Sequence, residues 1–240
     1  MTWKQFFTSS LGKKYIMGFT GFFLITFLIV HCTLNSMIFF DLVDPKDNGQ
    51  TFNHWAHLFG TNFFIRAMEY GLFVGLLLHI IQGLILWSQN KKARPIKYHV
   101  SKYREGKWYS RSMGLLGTLI LLFLILHLYH FWTPSRFGGM AGIHKLQETT
   151  LVDYNDQQVH DLYAEMKIVF QYPGAVIVYI LGVIALAWHL MHGFQSAFQT
   201  FGLTHKKYAP LIKGIGVFYS IVICLLFALM PISIYLKWIN

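Results

Sequence analysis

An all-α membrane protein with five spanning helices is the fold class this sequence predicts, and three observations predict it. Of the 240 residues 55% are hydrophobic and only 12% are charged, about half the charged share of a soluble domain. Five runs without Asp, Glu, Lys or Arg, at residues 15–40, 70–90, 112–135, 168–205 and 214–236, reach the ~20 residues that a helix needs to cross a hydrocarbon layer ~30 Å thick. The charge, finally, is sorted by loop. With five spans, the N-terminus, the 91–111 segment and the 206–213 segment share one side, which holds 14 of the 20 Lys and Arg and one of the 10 acids, Glu105. The positive-inside rule makes that side, and the N-terminus with it, cytoplasmic.

Taken in order, the first run follows Lys13 and Lys14 but is too long for a signal-peptide core and lacks a small-residue cleavage site. It is therefore the first spanning helix. Segment 50–64, with His54, Trp55 and His57, is an interfacial lead into the second. After the third comes the longest connection, 133–165. Near its end Val159, Leu162, Tyr163, Met166, Val169 and Phe170 recur at helical spacing and predict an amphipathic interfacial helix. The fourth run exceeds what a bilayer requires, so its turns from about Gln195 are expected to enter the aqueous interface or to continue as a tilted helix. Pro173 suits its first turn, and Pro231 is expected to bend the fifth helix. The spans are set at 15–40, 66–90, 112–133, 172–200 and 214–237, in one membrane domain.

Composition also excludes classes. A formal charge of +10 confined to one side suits topology control, anionic lipid or an acidic partner better than nucleic acid. Cys32 and Cys224 lie in apolar runs, and no Cys-x-x-Cys-His sequence exists for covalent haem attachment.

The informative residues are histidines inside the spans, because an ionisable group there is costly unless paired, ligated or hydrated. The first run carries His31, the second His79, the third His127 and His130, the fourth His189 and His192. A lone histidine in such a place is more often a hydrogen-bonded packing residue, but four helices supplying one each are harder to explain by packing. At ~1.5 Å per residue, His31 and His127 sit ~20 Å from the start of their helices and form an outer layer. His79 and either His189 or His192 form an inner one. Two layers of two histidines on facing helices are what two bis-imidazole haems require. Gly83 and Gly193 stand four residues after His79 and His189, on the same helix faces, where a flat porphyrin can approach; close helix packing explains each glycine taken singly. Asn35 holds the same offset from His31.

The segment His189-Leu-Met-His192-Gly193-Phe-Gln-Ser196-Ala-Phe-Gln-Thr-Phe201-Gly202 resembles the fourth-helix pattern of the cytochrome b membrane subunit of succinate dehydrogenases and fumarate reductases, in the single-subunit, five-helix, two-haem group. His79-Ile-Ile-Gln-Gly83, His31-Cys-Thr-Leu-Asn35 and Leu-Ile-Leu-His127-Leu-Tyr-His130 are similar to its second, first and third-helix motifs. The resemblance covers all five spans and implies His79 with His189 on an inner haem b and His31 with His127 on an outer one. It further implies electron transfer between a cytoplasmic iron-sulfur partner and membrane quinone, expected to be menaquinone. The FAD and the iron-sulfur clusters would belong to a flavoprotein and an iron-sulfur subunit docked on the inner face of a bacterial cytoplasmic membrane.

Certain two-haem members carry a glutamate two residues before the fourth-helix ligand, where this chain has Ala187, so a transmembrane proton path of that kind is not expected. Arg111 is a candidate haem-propionate partner, since guanidinium matches carboxylate; positive-inside placement accounts for it equally. Ser9, Ser10 and Lys13 are candidates for quinone or propionate contact, or plain helix-start residues. Glu69 is read as an interfacial residue beside Arg66 in preference to an outer quinone site. The alternatives are a cytochrome b subunit of a formate dehydrogenase or hydrogenase, disfavoured by histidine placement, and a haem-free histidine transporter, disfavoured by the lack of buried acids and of interrupted-helix repeats.

Overall fold

The computed structural model describes residues 9–92, 108–203 and 205–239. Most of the basic 91–111 segment, with Glu105, lies outside them. Helix α1, Ser10–Asn35, starts at Ser9, whose hydroxyl accepts from the Gly12 amide at 3.0 Å. This N-cap satisfies one of the orphan amides of the first turn, the helix-start role anticipated for it; the Ser10 side chain lies outside the described residues. A 3-10 turn, Ser36–Leu42, prolongs α1.

Helix α2, Gln50–Thr61, and α3, Phe63–Lys92, are separated by Asn62 alone. Its backbone is extended, and its side-chain oxygen accepts from the amides of Phe64 and Ile65 at 3.0 and 3.2 Å. One residue thus ends one helix and caps the next. At 30 residues α3 is about 45 Å long, and it begins before the uncharged run because Arg66 and Glu69, both inside it, neutralise each other.

The short α4, Trp108–Arg111, leads into α5, Met113–His127. A π-helical turn, Leu128–Trp132, and α6, Thr133–Phe137, continue the same rod. Next comes an antiparallel hairpin of β1, Glu148–Leu151, and β2, Gln157–His160, in the register Glu148↔His160 and Leu151↔Gln157. Its turn is closed by Asn155 and Asp156 at positive φ, a conformation that these two residue types tolerate. Helix α7, Leu162–Phe170, is capped by Asp161, whose carboxylate accepts from the Ala164 amide at 2.8 Å. Helices α8, Pro173–Thr200, and α9, Ala209–Tyr235, complete the chain, with Pro231 inside α9.

Among the described residues five helical rods are long and apolar enough to cross a membrane: Leu11–Leu42, Phe63–Lys92, Met113–Phe137, Pro173–Thr200 and Ala209–Tyr235. The chain is mostly helical, consistent with an all-α membrane protein, and a hairpin occupies part of the long connection. One detail differs from the sequence reading. Val159, counted into an amphipathic helix by its spacing, pairs with Thr149 in the sheet; its burial comes from strand alternation, and the helix begins only after Asp161. Within the fourth apolar run residues 168–170 close α7, and α8 runs from Pro173 to Thr200. Gly202, at φ +81°, allows the amides of Gly202 and Leu203 to reach back to the carbonyls of Gln199 and Phe198 at 3.0 and 3.1 Å, a Schellman closure.

Contacts divide the chain into two compact units. One comprises Met1–Leu28, Tyr70–Leu119 and Ala185–Val222, the other Ile29–Glu69, Ile120–Ile184 and Ile223–Asn240. In the first, the Tyr219 hydroxyl donates to the Ile25 carbonyl at 2.8 Å, and Gly216 admits the Phe194 ring so closely that a Cβ there would lie 2.7 Å from it. The second contains a buried polar lock. Asp41 accepts from the Gly49 amide at 3.1 Å and from the Tyr163 hydroxyl, while Asn53 donates to Asp161 at 2.8 Å and accepts from the Tyr163 amide at 3.1 Å. Gly49 sits at φ +76°, and a Cβ on it would run into the Tyr163 ring. Glycine is required there twice, for its backbone and for the space.

Candidate functional site: two histidine pairs

In the first unit α3 presents His79 and α8 presents His189. Their ring centroids are 6.2 Å apart and their planes are inclined at 68°. Thr20 of α1, itself buried, lies with its hydroxyl 3.1 Å from His79 Nδ1 and 2.7 Å from the Ile16 carbonyl. A hydroxyl has one proton, and the carbonyl can only accept it; the Thr20 oxygen is therefore left to accept from His79 Nδ1–H. That assigns the tautomer and leaves the Nε2 lone pair of His79 bare. His189 Nδ1 is buried with no hydrogen-bond partner. Glycines border both rings: a Cβ at Gly21 would come 3.5 Å from His79 Cε1 and one at Gly117 3.9 Å from His189 Cε1, both ordinary contact distances.

The two glycines singled out by sequence occupy different surroundings. A Cβ on Gly83 would meet the Met17 methyl at 3.8 Å, and one on Gly193 would meet no heavy atom within 4 Å. His192 does not face His79. It lines a cavity of about 310 Å³ with Gln195, Ser196 and Gln199 of α8, Tyr109 and Ser110 of α4, and Lys213 of α9. Arg111 lies exposed at the end of α4, one residue beyond that lining.

In the second unit α1 presents His31 and α5 ends on His127, with ring centroids 5.8 Å apart and planes at 87°. Phe123, one turn before His127, stacks on it at 5.7 Å and 28°, and Phe227 lies 5.7 Å from His31. The Asn35 amide donates to the His31 carbonyl at 2.8 Å and stands 3.4 Å from His31 Nδ1. His127 Nδ1, like that of His189, is buried without a partner. The π-helical turn begins immediately after His127, and its extra residue per turn re-aims the side chains beyond it. His130 accordingly meets the Tyr179 hydroxyl at 3.0 Å from Nδ1.

Glu69, also in the second unit, pairs with Arg66 as the sequence reading has it, and gathers two further partners. Arg66 donates to it at 2.9 Å, Arg136 through two nitrogens at 3.1 and 3.2 Å, and the Trp132 indole at 2.6 Å. Arg136 and Trp132 lie more than sixty residues away in the sequence, and no spacing rule reaches them. Thr20 was missed for the same reason, although a threonine inside an apolar run is a signal that a polar group nearby needs a partner. Comparison with protein-family models, with curated proteins and with solved structures finds no match to this chain.

Proposed function

We propose that this chain is the di-haem b anchor of a quinone-linked respiratory enzyme of the succinate dehydrogenase and fumarate reductase type. His79 and His189 would hold an inner haem, His31 and His127 an outer one. The observation that carries the reading is that two histidine pairs, each drawn from two different apolar helices, meet ring to ring, with centroids at 6.2 and 5.8 Å. Histidines inside apolar helices are costly unless paired, ligated or hydrated, and two imidazoles that shared one iron would have room to do so at such a separation.

The donor set is chemically compatible with this reading. Among the described residues no group of three or more His, Cys, Asp or Glu gathers to hold a metal ion, and two imidazoles are too few for a bare ion that takes four or more ligands. They suit an iron whose other four positions a tetrapyrrole fills. When bound, such an iron supplies one-electron chemistry. The protein's own part is positional: Thr20 fixes the tautomer and rotation of His79, and Phe123 stacks on His127 and holds its plane. An iron-sulfur subunit would exchange electrons with the inner pair, and membrane quinone would be the other redox partner.

The test is a reduced-minus-oxidised visible spectrum of the purified chain, with haem counted by pyridine extraction. About two b-type haems per chain are expected; a count well below two, or the absence of b-type bands, overturns the reading. Recovery of a flavoprotein and an iron-sulfur protein with the chain from native membranes tests the succinate assignment separately.

A further inference from the structure

Along α8 the residues His192, Gln195, Ser196 and Gln199 fall at i, i+3, i+4 and i+7, which is one continuous helix face. A polar stripe two turns long in a spanning helix is costly against lipid and is tolerated where it lines a polar cavity. Here it does: Tyr109, Ser110 and Lys213 close the other walls of the same cavity of about 310 Å³. None of the seven lining residues carries a carboxylate and every one carries a polar group, although their stems and rings make the lining as apolar as it is polar. They offer an ammonium, an imidazole, three hydroxyls and two amides, a set rich in hydrogen-bond donors with a positive formal charge. The cavity lies where α8 runs out toward the basic 206–213 segment.

We propose that this cavity is an anion site for a phosphate group, in keeping with basic pockets between membrane helices that take phospholipid headgroups. Lys213 would supply the charge, while Ser110, Ser196 and Tyr109 donate to the phosphate oxygens and the amides of Gln195 and Gln199 complete the shell. A quinone ring fits this lining less well, because small-molecule pockets of that kind are mostly apolar with a few polar groups. The inference does not depend on haem and goes beyond the reading above.

Two sources share this chemistry, an anionic phospholipid and free phosphate, and one experiment separates them. The full chain, purified in phosphatidylcholine nanodiscs doped with phosphatidylglycerol, is assayed for retained phosphatidylglycerol by native mass spectrometry, alone and with added inorganic phosphate. Retention of a phosphatidylglycerol, weakened about fivefold in Lys213→Gln, is expected, which is the contribution of one lysine near an anionic headgroup. Ser196→Leu, which fills the cavity, should abolish it, whereas Lys206→Gln, an exposed charge outside the lining, should not change it. Unaltered retention that phosphate does not displace identifies the lipid; binding of phosphate itself, lost in Lys213→Gln, identifies the free ion. Equal phosphatidylglycerol retention and equal phosphate binding in wild type, Lys213→Gln and Ser196→Leu overturns the site. So does an equal loss in Lys206→Gln, because the effect is then general surface charge. Circular dichroism and haem content, measured on every variant, separate loss of the site from loss of the fold.

Discussion

Thr20 illustrates how one hydroxyl can govern a histidine. It donates to Ile16 and accepts from His79, so Thr20→Val removes the acceptor while keeping the shape. Losing an outer hydrogen bond of this kind typically costs 10–100-fold in affinity for the bound centre. We expect Thr20→Val to weaken retention of the proposed inner haem by about that factor in a haem titration, and Thr20→Ser to restore it. The neighbouring histidines behave differently: His130 is engaged by Tyr179 and His192 faces the polar cavity. Pyridine extraction of His130→Ala and His192→Ala should therefore return a haem count close to that of the unsubstituted chain. A second residue-scale prediction concerns Tyr163, whose phenol is pushed above its ordinary value of 10.0 by burial first and by the carboxylate of Asp41 next. A group with a raised native pKa contributes stability that is whole below its unfolded pKa and is lost as pH climbs past it. Protection of the amides around α2 and α7 against hydrogen exchange, taken relative to the intrinsic rate at each pH, should accordingly fall above about pH 10. In Tyr163→Phe that alkaline step should vanish, at the cost of a buried Asp41 oxygen left without its donor, about 1–3 kcal/mol.

Among the elements, the close approaches of helices carry the consequences. Gly182 of α8 lies so near Phe123 of α5 that a Cβ would sit 2.5 Å from the ring, and Phe123 in turn stacks on His127. Gly182→Ala must push the ring aside, an overpacking cost of typically 1–3 kcal/mol. It should disturb the spectrum of the proposed outer haem while sparing the inner one, and an equal change in both would contradict this local route. The π-helical turn after His127 is an element-scale device too. A regular helix would carry His130 round by about 300° from His127, whereas the inserted residue alters that phase and leaves His130 against Tyr179.

For the whole molecule, each compact unit contains one histidine pair, and the pairs should be separable. His79→Ala or His189→Ala is expected to lower the count from about two haems to about one and to leave the outer centre's spectrum in place. His31→Ala or His127→Ala should do the converse. Loss of both haems from any single substitution would show that the two sites are not independent.

Hydropathy and charge are properties of consecutive residues. The five spans, the sorting of Lys and Arg by loop and the helices that carry His31, His79, His127 and His189 could therefore be read from the sequence alone. Other features depend on residues remote in the chain. Thr20 finds His79, Glu69 gathers Arg136 and Trp132, Asp41 meets Tyr163, and Val159 joins a strand because Thr149 is there to pair with it. The same division holds within the candidate site: the helix that carries each histidine was legible, whereas the neighbours of each ring, Gly21 beside His79 and Gly117 beside His189, come from other helices and were not. A run of sequence specifies which residues a helix carries. Only packing decides the rotation of each helix about its axis, and that rotation determines which side chains meet.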